Sequence, residues 1–161
     1  MKLIDFIYKV IPNDLFRKLS KRYYKAIKKW GKKMTEQEFI HFLHTKLDVQ
    51  KGDIVFVHSA MSKMNVAFTP QRMLDLLQEA VGEEGTLLFP CWHYIGRAED
   101  YLKHKDSVFD VQNSKTTLGF LNQIAKNDPK SKRSFHPTVS VCAIGKYAEE
   151  LTSYHHLDPY P

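Results

Sequence analysis

Apolar positions recur along the chain with changing period, and the period predicts the elements. Leu3, Phe6, Ile7 and Val10 fall on one helical face, and Pro12-Asn13-Asp14 breaks that run and offers a new start. Leu15, Leu19, Tyr23, Ile27 and Trp30 line one side of a second helix. Arg17, Lys18, Lys21, Arg22, Lys25, Lys28 and Lys29 fill much of the rest, and Gly31 ends it. Thr35 and Glu38 form a capping-box pattern ahead of a face made by Phe39, Ile40, Leu43 and Leu47. Lys51-Gly52-Asp53 is a turn. Ile54 to His58 is short and nearly all apolar, which predicts a strand buried on both faces. Thr69 as cap and Pro70 at the first helical position open a helix with Met73, Leu74, Leu77 and Val81 inward, closed by Gly82. Gly85 to Pro90 reads as a second buried strand, Thr117 to Ala125 as a helix, Val139 to Ile144 as a third strand, and Lys146 to Leu151 as a short helix. Residues 91–113 show no period, and so long a loop in a compact domain is functional or disordered. Helices alternating with strands predict an α/β fold, a layered sheet with flanking helices.

Charge divides this chain. Residues 1–35 hold 11 Lys/Arg and 2 Asp/Glu, or +9, and the remaining 13 basic and 16 acidic side chains give −3, which sums to the net +6. The basic character therefore belongs to an extension, residues 1–34, set before an α/β domain at 35–161. A nucleic-acid-binding function for the whole chain loses its main support. The extension fits two roles, a helix lying on an anionic membrane surface or one packing its stripe on the body with lysines in water. No stretch approaches eighteen uninterrupted apolar residues, and Asp5 and Lys9 interrupt the first run, so neither a spanning helix nor a signal peptide is predicted. Two cysteines, Cys91 and Cys142, make no disulfide framework, and the expected compartment is the reducing cytoplasm.

Several chemistries are absent from the pattern. There is no phosphate loop, dinucleotide fingerprint or Gly-x-Ser-x-Gly elbow. Cys91, His93, Cys142 and the pair His41 and His44 meet no zinc-ligand spacing, and no metal is expected. Two clusters remain. His58-Ser59-Ala60-Met61-Ser62 follows a strand, where open α/β sheets bind ligands and where amides and small hydroxyls can receive a phosphate. A plain βα loop with serine turn bonds accounts for it equally well. Lys132-Arg133-Ser134-Phe135-His136-Pro137 precedes another strand. Arg133 can pair a phosphate and His136 can bind substrate or act as a base, or the segment is a solvated basic loop.

These blocks resemble a known family. Gly52 to Met61, Gly82 to Pro90, Phe109-Asp110 with Ser114 and Leu118-Gly119, Arg133 to Val141, and Ala148 to Thr152 with His156-Leu157-Asp158 are similar, in order, to the blocks of the aminoglycoside 3-N-acetyltransferases. The resemblance implies direct transfer of acetyl from acetyl-coenzyme A to an amine of an aminoglycoside, with a general base. It places His58, Ser59, Ala60, Met61 and Ser62 at the coenzyme, with a serine common in the family where this chain has Ala60. It puts Arg133 and His136 near the cleft. Family members continue beyond this length to a Thr-x-x-His-x-x-Glu motif carrying the base, and that motif is missing here. The expectation is the N-terminal part of such an enzyme, inactive as a free chain. An amino-sugar acetyltransferase for surface polysaccharide and a non-catalytic, membrane-associated remnant are the alternatives.

Overall fold

The computed structural model describes residues 12–103 and 108–157. The predicted first helix at Leu3 to Val10, His104, and the residues from Asp158 onward lie outside the described residues. The order is α1 (Asn13–Trp30), α2 (Glu36–Lys46), β1 (Ile54–Phe56), a 3-10 turn (Met61–Lys63), α3 (Pro70–Val81), β2 (Thr86–Pro90), α4 (Ala98–Leu102), α5 (Phe120–Asn127), β3 (Lys132–Arg133), β4 (Val141–Gly145) and α6 (Ala148–Ser153). No described helix is long and apolar enough to cross a membrane.

Local sequence explains the helix starts. The Thr35 hydroxyl accepts from the Glu38 amide at 3.2 Å, and the Glu38 carboxylate accepts from the Thr35 amide at 2.9 Å, which completes the capping box. Thr69 accepts from the Arg72 amide, with Pro70 at the first helical position. Arg72 then joins α3 to α2 through Glu36 at 3.0 Å.

The four strands form one mixed sheet in the order β1-β2-β4-β3, with β1 and β2 parallel and β4 antiparallel to both neighbours. Leu87, Phe89, Cys142 and Ile144 point to one face and join Phe39, Leu43, Met73, Leu74, Leu77, Leu121 and Ala125 of α2, α3 and α5 in a single core. Val55 and Val57 pack against this core from β1. On the other face α6 lies against β4, β3 and β2, and the Tyr147 amide donates to the Thr86 hydroxyl at 2.9 Å. Gly145, at φ +129°, lets β4 pass close to Gly85, because a Cβ there would sit 2.2 Å from the Gly85 carbonyl oxygen.

The structure corrects one expectation. β1 is not buried on both faces: Ile54 and Phe56 are 53% and 47% exposed. Their apolar run reads as a central strand, but among the described residues β1 is an edge strand, and α6 is too short to reach across β2 and cover it. Three elements were not legible: the two-residue β3, the five-residue α4 and the 3-10 turn. An unpaired edge beside exposed apolar side chains is a template for association. We expect the chain to self-associate with rising concentration, and Phe56→Lys to shift sedimentation toward the monomer. Unchanged sedimentation of the variant would rule out this edge as the contact.

Candidate functional site

The register places the site. Phe56, Leu88, Ala143 and Lys132 share one row across the sheet. Two residues further along each strand, toward the C-terminal ends of β1 and β2, come His58, Pro90, Val141 and Ser134. The segments after β1, β2 and β3 therefore gather at one end of the sheet, where ligands bind in open α/β folds. His58 and Ser134 stand at opposite edges of that row, about 14 Å apart at the usual strand spacing.

At the β1 side, His58, Ser59, Ala60, Pro90, Leu118 and Asn122 line a cavity of about 350 Å³. His58 is exposed, with its ring edge-on to Phe56 at 4.7 Å. Ser59 is half-buried and Ala60 exposed. Among the described residues, the amides of Ser59, Ala60 and Met61 donate to no protein acceptor. Met61 to Lys63 turns the chain, with the Lys63 amide donating to the Ala60 carbonyl at 2.7 Å. Ser62 is exposed on this turn. His58, Ser59 and Ala60 also line an apolar cavity of about 270 Å³ with Leu43, Val55 and Met64.

Asn122 is a site residue that sequence reading missed. It is 2% exposed, and its Nδ2 donates to the Pro90 carbonyl at 2.6 Å. That bond fixes the amide orientation and leaves Oδ1 as an acceptor with no protein partner among the described residues. The only signal was a polar residue on the inward face of a short helix, between Leu121 and Ala125.

Arg133 is engaged by the protein itself. Its guanidinium is turned inward and donates to the carbonyls of Val111 (3.0 Å), Ser114 (2.6 Å) and Cys91 (2.6 Å) and to the Ser140 hydroxyl (3.3 Å). It also sits 4.9 Å from the Phe109 ring centroid. A phosphate at this guanidinium would have to displace these partners, and the side chain is not the solvated one of a plain basic loop. Burial lowers its pKa from the ordinary arginine value.

His136 is half-buried. Its Nδ1 accepts from the amides of Val139 at 3.0 Å and Thr138 at 3.2 Å. The neutral ring therefore carries its proton on Nε2 and presents a donor outward. A base at this position would need a free ring nitrogen, and Nδ1 is occupied. Burial lowers its pKa, and nearby His156 lowers it further. Protonation at Nδ1 would also turn an N–H against two amide N–H groups.

His155, likewise missed, is buried against the His136 ring at 4.9 Å, and its Nδ1 lies 2.8 Å from the Ser134 hydroxyl. Ser134 also accepts from the Val141 amide at 3.0 Å. Rings pack against one another among the described residues of the aperiodic segment 91–113. His93 stacks on Phe109 at 4.7 Å, Tyr94 stacks on Tyr101 at 4.9 Å, and His93 Nε2 lies 2.8 Å from the Tyr101 hydroxyl.

The family model described as aminoglycoside 3-N-acetyltransferase matches residues 56–161. An aminoglycoside N(3)-acetyltransferase III from Salmonella sp is 32% identical over 124 residues, covering 70% of this chain and 43% of its own length. Among solved structures, aminoglycoside acetyltransferase AAC(3)-Xa aligns with a TM-score of 0.67 at 26% identity, over 86% of this chain and 52% of that one. AAC-IIIb in a binary complex with CoASH aligns with a TM-score of 0.60 at 26% identity, over 75% and 49%. The chain thus spans about half the length of the relatives it matches. With two thirds of its residues inside the family model and its sheet superposing on family members, the chain belongs to the aminoglycoside 3-N-acetyltransferase family.

Proposed function

We propose that this chain provides the coenzyme-binding part of an acetyl-CoA-dependent N-acetyltransferase acting on an amine of an aminoglycoside. The observation that carries the reading is the cavity at the ends of β1 and β2. There Ser59 and Ala60, whose amides donate to no protein acceptor among the described residues, line the wall together with Asn122. Acetyl-coenzyme A has matching groups, with phosphates that accept from such amides and apolar stretches suited to the adjoining 270 Å³ cavity. The CoASH complex of a relative over half of its chain supports the same partner.

In the reaction a neutral amine attacks the thioester carbonyl, the C–S bond breaks, the thiolate leaves, and the nitrogen gives up a proton. His136 contributes a donor to this end of the sheet through Nε2–H. The proton acceptor is another group.

Calorimetric titration with desulfo-coenzyme A tests the coenzyme assignment. Binding is expected for the native chain, and Ser59→Glu is expected to weaken it by about 1–3 kcal/mol, the scale of a lost charge-assisted hydrogen bond. An unchanged isotherm would remove the loop from the binding site.

His136 makes a separate prediction. With a lowered folded pKa, the unfolded chain binds more protons over the intervening range, so stability rises with pH there. The contribution is complete above the ordinary value near 6.5 and is lost as pH falls through the folded value. His136→Asn keeps an acceptor close to the Nδ1 position and removes the titration. Urea denaturation at a series of pH values should show a shallower loss toward acid for the variant. In acetylation assays the variant is expected to lower kcat/KM while leaving the acidic limb of the pH profile in place. Disappearance of that limb would make His136 the base.

A further inference from the structure

The helix α1 carries more apolar surface than the body covers. At 3.6 residues per turn its apolar stripe divides in two. The inner half, Phe16, Ser20, Tyr24 and Ile27, is half-buried. It faces the turn after β1, where Lys63 Nζ lies 5.9 Å from the Tyr24 ring and Asn65 Nδ2 donates to the Ile27 carbonyl at 3.1 Å. The outer half is Leu15, Leu19, Tyr23, Ala26 and Trp30, which succeed one another at the three- or four-residue spacing of one face. Leu15, Leu19, Tyr23 and Trp30 are 49%, 46%, 63% and 79% exposed. Packing on the body therefore accounts for only half of the stripe.

Charge identifies what the outer half fits. Lys18, Arg22, Lys25 and Lys29 run beside it in the same spacing, all exposed, and the Lys29 ammonium lies 4.8 Å from the Trp30 ring centroid. The helix holds a single acidic residue, Asp14. An aliphatic and aromatic strip bordered by long cations, with an indole and a phenol at its margin, matches the polarity gradient of a lipid headgroup region. A nucleic acid would use the cations and leave the apolar strip in water. A second copy of this chain would bring seven more basic side chains against these.

We propose that the outer face of α1 docks on an anionic membrane surface, with Leu15, Leu19, Tyr23 and Trp30 entering the headgroup region and Lys18, Arg22, Lys25 and Lys29 on the lipid phosphates. The inner half fixes the helix to the body, so the chain docks as a folded unit. This surface is independent of the coenzyme site, and either can fail without the other.

The test is co-sedimentation of the whole chain with vesicles of phosphatidylcholine alone and of phosphatidylcholine mixed with phosphatidylglycerol. A Trp92→Phe background makes Trp30 the reporter. Binding to the mixed vesicles, a blue shift of Trp30 emission, and release as salt rises are expected. Replacing Lys18, Arg22, Lys25 and Lys29 together by Gln is expected to weaken binding on the order of 10²–10³-fold, at about 1 kcal/mol for each cation. Leu19→Ser with Trp30→Ser should abolish co-sedimentation with the mixed vesicles while leaving the melting temperature unchanged, because both side chains are exposed; if that variant fails to fold, the Gln series still decides. Equal retention on the two vesicle types would overturn the proposal. So would binding to an RNA duplex without vesicle binding, or an oligomer that the Leu19→Ser, Trp30→Ser variant dissociates while vesicles retain nothing.

Discussion

The Arg133 guanidinium holds together the end of the sheet where the site lies. β3 contributes only two residues to the sheet, and the segment from Val108 to Ser114 has no regular element of its own. Arg133 ties both to the end of β2 through the carbonyls of Val111, Ser114 and Cys91. Ser140 closes the same knot by donating to the Cys91 carbonyl at 2.9 Å. A buried charge is costly unless its donors are met, and the planar fork meets several carbonyls at once, which a lysine ammonium does not. Among the described residues no carboxylate is a hydrogen-bond partner, and the charge is held by carbonyl dipoles, by the face of Phe109 and by the nearby charge of Asp110. A fixed positive charge then stands at this end of the sheet, and it contributes, after burial, to the lowered pKa of His93.

The two faces of the sheet are served unequally. Three helices cover the face of Leu87 and Phe89, whereas the six residues of α6 cover β4 and its neighbours alone. The edge position of β1 follows from this imbalance. Its alternate residues Val55 and Val57 pack inward, and Ile54 and Phe56 meet solvent.

Helix boundaries were legible wherever a side chain caps a backbone. Thr35, Glu38, Thr69 and Pro70 specify their helix starts through contacts made within four residues. The positions of β1, β2 and β4 are legible too, because apolar runs bounded by turn residues such as Gly52 and Gly85 leave few alternatives, whereas the two-residue β3 carries no such run. What could not be read was set by partners far along the chain. β1 looked central because Ile54 and Phe56 are apolar, and only the sheet order shows that nothing covers them. The loop at 58–62 lies at the sheet end that its position after a strand predicts, whereas Asn122, which lines the same cavity, comes from a helix 60 residues on and has no local signal. Arg133 reads from the sequence either as a phosphate ligand or as a surface cation in a run of lysines. Its inward turn depends on carbonyls of residues 91, 111 and 114, which no local pattern encodes.

The turn after β1 has two sides, and each needs the other's order. On one side Ser59 and Ala60 line the cavity with Asn122. On the other, Lys28 Nζ donates to the Met61 carbonyl at 3.4 Å, Asn65 Nδ2 is shared among the carbonyls of Ile27, Gly31 and Lys32, and Met34 pairs with Val66. Few ladder hydrogen bonds hold residues 58–66, so without these contacts the turn would have to be ordered when a ligand arrives. Ordering a loop on binding costs affinity, and a loop already held costs less. The basic helix lies outside residues 56–161 that match the family model, yet its C-terminal carbonyls are satisfied by a side chain of that turn. The inner face of α1 is therefore part of the support of the candidate site, and the geometry of the loop at Ser59 to Met61 rests in part on the seating of that helix.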